Sequence, residues 1–186
     1  MHDPEFCTKR EFYQAVIIMH SAVKKYIERY ANRVPASAAL VQAVQNAQTI
    51  LLYAAFGGEA GLAGFAAEAA RRGKVLAYPV CGENCSLTAA VPGPDGWETG
   101  LYGIRTPVLE RSVLLEPEQL DLVLVPCTAF DADCFRVGMG KGYYDRYLPR
   151  CTKAAKIGIA LEVQRVAHAA VDEHDQRLDA FVTERG

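Results

Sequence analysis

Leu122-Val-Leu-Val-Pro126, followed closely by Asp131-Ala-Asp-Cys-Phe-Arg-Val-Gly-Met-Gly-Lys-Gly-Tyr-Tyr-Asp-Arg-Tyr-Leu148, is the stretch on which the fold turns. An unbroken apolar run closed by a proline reads as a strand buried on both faces. Behind it, Gly138, Gly140 and Gly142 alternate with other residues among Arg136, Lys141 and Asp145. A buried strand that empties into a glycine loop and then a helix, expected here over Tyr143 to Leu148, is how many α/β proteins hold phosphate. Without Cβ atoms the loop can bring backbone N–H groups close to an anion. Arg136 and Lys141 add full positive charge, and Asp145 is placed to ligate a magnesium ion that bridges phosphate oxygens. The competing reading is a glycine-rich surface turn.

The spacing fits neither common phosphate loop. A Walker A loop needs Ser or Thr after its lysine, and Lys141 is followed by Gly142; a dinucleotide fingerprint needs its third glycine one residue later. The flanking pattern alternates helix and strand. Apolar residues recur at helical spacing from Glu11 to Tyr30, and a second helix is expected from Ala36-Ser37 through Gln45. A strand over Thr49 to Ala54, a helix over Leu62 to Arg72 stopped by Gly73, and strands over Lys74 to Tyr78, Lys156 to Leu161 and Ala180 to Thr183 follow. Residues 92 to 107, rich in Pro and Gly around Trp97, read as a mobile or ligand-facing loop. The fold class expected is α/β, a three-layer, mostly parallel open sheet with helices on both faces, within one domain spanning 1–186. Tyr53 to Glu59, Pro126 to Asp145 and Leu161 to Gln164 each follow an expected strand, so they should converge on one crevice at the strand carboxyl ends.

Composition excludes several classes of function. At 186 residues, 51% hydrophobic and with a formal charge of −2, the chain has core to bury and no basic field for nucleic acid or a membrane surface. No apolar run approaches membrane-spanning length, and the first residues carry Asp3, Glu5, Lys9 and Arg10, so a cytoplasmic monomer is expected. The six cysteines, at 7, 81, 85, 127, 134 and 151, read as reduced thiols. Cys81-Gly-Glu-Asn-Cys85 has no matching second pair for a structural metal. Lys24-Lys25 and Arg71-Arg72 read as solvated helix faces.

These residues resemble the 5-formyltetrahydrofolate cyclo-ligases, also called methenyltetrahydrofolate synthetases. The resemblance is carried by Val125-Pro126, Ala129-Phe130-Asp131, the run Arg136 to Arg146, and Leu148. It continues through Ile157-Gly158, Gln164, His174-Asp175, Leu178-Asp179 and Val182-Thr183-Glu184, and upstream through Tyr53, Glu59 and Gly103-Ile104, covering residues 48 to 184. It implies an ATP-dependent ligase that forms a C–N bond. The formyl oxygen of 5-formyltetrahydrofolate attacks the γ-phosphoryl of ATP, and the neighbouring amine nitrogen then displaces phosphate to give 5,10-methenyltetrahydrofolate.

The resemblance also implies roles. Arg136, Lys141 and Tyr143 would be catalytic, and Arg136, Val137, Gly138, Met139, Gly140, Lys141, Gly142, Tyr143 and Tyr144 would bind ATP. Glu59, Met139, Gly140, Lys141, Gly142 and Tyr143 would bind the reduced folate, and Asp145 with Asp175 would hold Mg2+. Tyr144 reads equally as a core residue; by sequence alone the metal role is weaker for Asp175, because Asp172-Glu173-His174-Asp175 also reads as a solvated acidic turn. Four places depart from the family pattern. The family's N-terminal Lys-x-x-Leu-Arg is not reproduced by Lys9-Arg10, Ala60-Gly-Leu62 follows Glu59 where the family continues Val-Asp-Thr, and Tyr102-Gly-Ile-Arg-Thr106 replaces Trp-Gly-Ile-Pro-Glu. Cys127 and Cys134 stand at commonly small positions. The alternative function is a catalytically impaired family member that binds folate or nucleotide; a weaker one is another nucleotide-dependent enzyme on the same scaffold.

Overall fold

Leu122 to Val125 are each fully buried, and alternate residues leave this strand for opposite sides. Leu122 and Leu124 pack with Ile50, Leu52, Ile157 and Ile159, whereas Val123 and Val125 pack with Leu51, Ala77, Tyr147 and Leu148. Period-two alternation thus sorts one apolar run into two cores, which is why the strand carries no polar face. Each such buried side chain contributes about 1.5–3 kcal/mol. The computed structural model describes residues 43–100 and 103–185. The helix expected over Glu11 to Tyr30 and most of the one starting at Ala36-Ser37 lie outside the described residues, as do Cys7, Lys9, Arg10, Lys24-Lys25 and Tyr102; residues 43–46 form a helical turn.

In chain order the described elements are β1 (Thr49–Leu51), α1 (Ala63–Arg71), β2 (Val75–Cys81), β3 (Leu87–Pro92), β4 (Trp97–Thr99), β5 (Arg105–Pro107) and β6 (Ser112–Leu115). There follow β7 (Leu122–Pro126), β8 (Ala129–Phe130), β9 (Arg136–Val137), α2 (Tyr143–Tyr147), β10 (Ala155–Ile159) and β11 (Ala180–Val182). Seven strands form the main sheet in the order β11-β10-β7-β1-β2-β3-β6. Pairings from β11 to β2 are parallel, and β2–β3 and β3–β6 are antiparallel. The turn at 43–46 and α1 cover one face, and α2 with the 3₁₀ turn Leu148–Arg150 covers the other. The expected mostly parallel, three-layer α/β architecture is the one observed. Two aspartates lock the strand starts: Asp121 Oδ2 accepts from the N–H groups of Gln48 and Thr49 at 2.8 and 2.9 Å, and Asp179 Oδ2 accepts from Lys156 N–H at 2.7 Å.

Three expectations need correction. Residues 92 to 107 are not merely loop, because β4 and β5 pair antiparallel, Trp97 with Pro107 and Thr99 with Arg105. This hairpin is anchored by Trp97, whose ring meets Tyr78 edge-on at 4.8 Å and carries the Arg105 guanidinium 4.4 Å from its centroid. Strands β3 and β6 were absent from the sequence reading. The helix after the glycine loop is also shorter, ending at Tyr147, and Gly142 caps its start in the left-handed region at φ 69°. Among the described residues no helix is long and apolar enough to cross a membrane.

Strand order explains where ligands can enter. The chain leaves β1 toward β2 on one side and leaves β7 toward β10 on the other, so the order reverses between the adjacent strands β1 and β7. A crevice opens at the carboxyl ends of strands flanking such a switch point. On the far side, Gly158 of β10 lies so close to Phe181 that an added Cβ would overlap the ring, which is itself stacked on Phe130 at 4.4 Å. Gly158→Ala should therefore destabilise the protein by about 1–3 kcal/mol through overpacking. Urea denaturation checks this, and an unchanged midpoint would show that Phe181 gives way freely.

Candidate functional site

The crevice is a cleft of about 1290 Å³ whose lining includes Tyr53 after β1, Pro126 to Thr128 at the end of β7 and just beyond, the loop Gly138 to Gly142, and residues of α2. That exceeds the roughly 300–1,000 Å³ usual for one small molecule, leaving room for two. Buried Gln164 ties the strand ends beneath it: its Oε1 accepts from Leu161 N–H at 2.7 Å, and its Nε2 donates to Cys127 O at 2.9 Å. Asp131, also buried, accepts from the N–H groups of Asp133, Phe135 and Ala169, which fixes the turn leading into β9. Both residues belong to the motif for structural reasons.

Arg136 is the central side chain. Only 5% exposed, its Nη2 meets Asp145 Oδ1 at 2.9 Å, and its guanidinium lies 5.6 Å from the Tyr144 ring centroid. The same Asp145 oxygen accepts from Gln176 N–H at 3.3 Å. One ion pair thus joins β9, α2 and the segment around Gln176, and it closes the glycine loop at both ends. Two buried donors in this cleft, Arg136 Nε and the Tyr144 hydroxyl, have no acceptor among the described residues. Buried donors normally find partners, so these two mark a place for a ligand acceptor. Burial raises the Tyr144 and Tyr53 phenols above their ordinary range, keeping both neutral; Tyr53 donates to Ala60 O at 2.6 Å.

The loop repeats this pattern on its backbone. Among the described residues, no N–H from Gly138 to Gly142 donates to a backbone or side-chain acceptor. Such a run of free donors, with the exposed ammonium of Lys141 beside it, is an anion-binding concavity. Val137 does not share it: at 1% exposed it packs against Ala129 and Ala169, and its carbonyl accepts from Thr128 N–H and Oγ1. The alternation along β9 sends Arg136 to the cleft and Val137 to the core. All other residues expected to contact ATP, folate or metal line the cleft: Glu59, Arg136, Gly138 to Asp145, and Asp175.

For a divalent cation, Asp145 and Asp175 supply hard oxygen donors on the same cleft. Asp145 Oδ2 takes no hydrogen bond from the described residues, and Asp175 Oδ2 accepts from Asp172 N–H at 2.7 Å. The described residues hold no cluster of three or more potential ligating side chains. One or two carboxylates completed by phosphate oxygens and water is the usual magnesium arrangement, and this donor set fits it.

Sequence reasoning missed Thr128, Arg146, Asp172 and Gln176, and the hairpin residues Glu98 and Thr106 that face the cleft. The hairpin was detectable in Gly100 and Gly103 punctuating short extended segments, and Arg146 closed the motif run without an assigned role; nothing local marked Thr128 or Gln176.

Glu59 lines the same cleft, accepting Phe56 N–H at 2.9 Å. Burial lifts its carboxyl from 4.5 to about 7, against the opposing effect of that hydrogen bond.

The profile of the 5-formyltetrahydrofolate cyclo-ligase family matches residues 17–184. The 5-formyltetrahydrofolate cyclo-ligase of Mycoplasma pneumoniae is 44% identical over 70 residues, covering 37% of this chain and 42% of that one. The mouse protein of the same name is 38% identical over 79 residues, covering 40% and 39%. The matched stretch therefore spans about two fifths of the length of these curated relatives. The solved 5,10-methenyltetrahydrofolate synthetase of Aquifex aeolicus superposes with a TM-score of 0.73 at 28% identity, covering 96% of this chain and 90% of that one.

The Glu59 shift has a measurable consequence. An unfolded chain loses this proton near 4.5, whereas the folded one keeps it to about 7. Between those values the folded state binds more protons, so its contribution to stability falls as pH rises from about 4.5 to about 7 and is level above. Glu59→Gln should flatten that decline in urea denaturation series across this range; identical slopes in mutant and wild type would mean that Glu59 titrates normally.

Proposed function

This chain belongs to the 5-formyltetrahydrofolate cyclo-ligase family, and we propose that at this cleft, with Mg2+ as cofactor, it converts 5-formyltetrahydrofolate and ATP into 5,10-methenyltetrahydrofolate, ADP and phosphate. The observation that carries the reading is the loop Gly138 to Gly142, whose N–H groups have no acceptor among the described residues, with the cations of Arg136 and Lys141 in the same cleft, which has room for two small molecules.

The β- and γ-phosphates lie along the loop, with Arg136 and Lys141 neutralising their charge. Asp145 and Asp175 would hold magnesium, which when bound offsets further phosphate charge. The folate lies between Glu59 and residues 139 to 143; the Glu59 carboxylate accepts hydrogen bonds from pterin N–H donors, and the formyl oxygen is brought to the γ-phosphorus. A bond forms between that oxygen and phosphorus as the bond to the β-phosphate oxygen breaks, releasing ADP. The neighbouring amine nitrogen then attacks the formyl carbon, loses its proton to solvent, and phosphate departs with the formyl oxygen.

No protein nucleophile is required. Fixing two substrates in register and stabilising the transferring phosphoryl group supply the acceleration. This division of labour agrees with a cleft whose thiols are suppressed: burial pushes Cys127 up to about 12 and raises Cys81, so neither is a thiolate at neutral pH.

Incubation with 5-formyltetrahydrofolate, ATP and magnesium should give the near-ultraviolet absorbance of the methenyl product. Lys141→Ala should raise the KM for ATP on the order of tenfold, by loss of a charge-assisted contact, with folate affinity changed much less. Tight folate binding without product would favour the impaired binder, to which the altered N-terminal segment at Lys9-Arg10 and the altered segment after Glu59 point. An ATP KM unchanged in the mutant would remove Lys141 from the phosphate site.

A further inference from the structure

Arg146 stands immediately behind the acid of the loop motif, and its side chain turns back onto the loop. Its Nη1 donates to the carbonyls of both Lys141 and Gly142, at 2.9 and 3.0 Å, while its own N–H donates to Gly142 O at 3.2 Å. The side chain is exposed and makes no ion pair with a described acid, so its geometry is set by these two carbonyls. Gly142 is fitted to it: the backbone is left-handed at φ 69°, and a Cβ there would stand 2.7 Å from Arg146 Nη1.

Peptide geometry gives this contact a consequence at the cleft. The peptide bonds are trans, so each N–H points away from the carbonyl of its own plane. Holding the Lys141 and Gly142 carbonyls at Arg146 therefore turns the N–H groups of Gly142 and Tyr143 to the opposite side. Carbonyls released into the cleft would present negative charge to an incoming anion, and a backbone with glycine at every second position has many such conformations to visit.

We propose that Arg146 is a positioning residue: by binding the Lys141 and Gly142 carbonyls it holds the glycine loop in its anion-accepting form before the nucleotide arrives. This rests on the reading of the loop as the triphosphate site. It is a role distinct from that of Arg136, whose guanidinium is buried and paired with Asp145.

The test compares wild type with Arg146→Met, an unbranched side chain without charge or donor, and Arg146→Lys, whose single ammonium can serve both carbonyls. Steady-state kinetics give KM and kcat for ATP, melting gives foldedness, and fluorescence of Trp97, the only tryptophan, gives folate affinity. The methionine variant is expected to melt as wild type does and bind folate unchanged. Its KM for ATP should rise about tenfold while kcat at saturation stays within about twofold, because excess nucleotide restores the loop. Lysine should bring KM back to within about threefold of wild type. A methionine variant with wild-type KM, equal loss in both variants, or a fall confined to kcat would each overturn the proposal. Wild-type protein without ATP affinity would overturn the reading of the loop instead, and the proposal with it.

Discussion

The pair between Arg136 and Asp145 is the constraint on which the cleft depends. Its partners lie nine residues apart at either end of the glycine loop, one on a two-residue strand and the other on a helix of barely more than one turn. Neither element is long enough to be stable alone. At 2.9 Å, with Arg136 almost wholly buried, the pair fixes their separation and so the span the loop must cross. Removing one partner from a buried pair leaves an uncompensated charge, typically at a cost of about 3–5 kcal/mol. The arrangement therefore couples stability to the shape of an anion site.

The rest of the fold brings other groups to that site. The reversal of strand order between β1 and β7 sets the segment from Tyr53 to Glu59 against the glycine loop, although some eighty residues separate them in sequence. Gln164 ties the ends of β7 and β10 beneath, and the Trp97 hairpin closes a wall by packing on Tyr78. The result gathers different chemistries within one cavity: cations and amides with no acceptor among the described residues at the loop, and in the same lining a carboxyl whose pKa burial raises to about 7.

Much of this was legible in the sequence because local rules and tertiary context agree. The buried run Leu122 to Val125 needs two covered faces, and the glycine loop behind it needs a ligand or a turn; both readings lead to the same parallel sheet. Strand β3 was not legible, since Ala89, Ala90 and Pro92 carry little strand preference and are held by pairing with β2 and β6. The inward turn of the Val137 side chain was not legible, because the motif gives no sign of the alternation along β9 that buries it against Ala129 and Ala169. Glu59 was identified by resemblance, but its raised pKa comes from burial that only the folded chain creates. Arg146 was quoted within the motif and given no role, as its function lies in bending back onto carbonyls.

The claim that loop amides receive the phosphates is tested most directly by amide proton–nitrogen spectra recorded while magnesium and ATP are added. The account predicts large, saturable shifts at Gly138, Gly140 and Gly142, with Gly73 and Gly96, which already donate to Ala70 and Gly93 carbonyls, unmoved. Saturable nucleotide binding that leaves the resonances of the loop in place would contradict it.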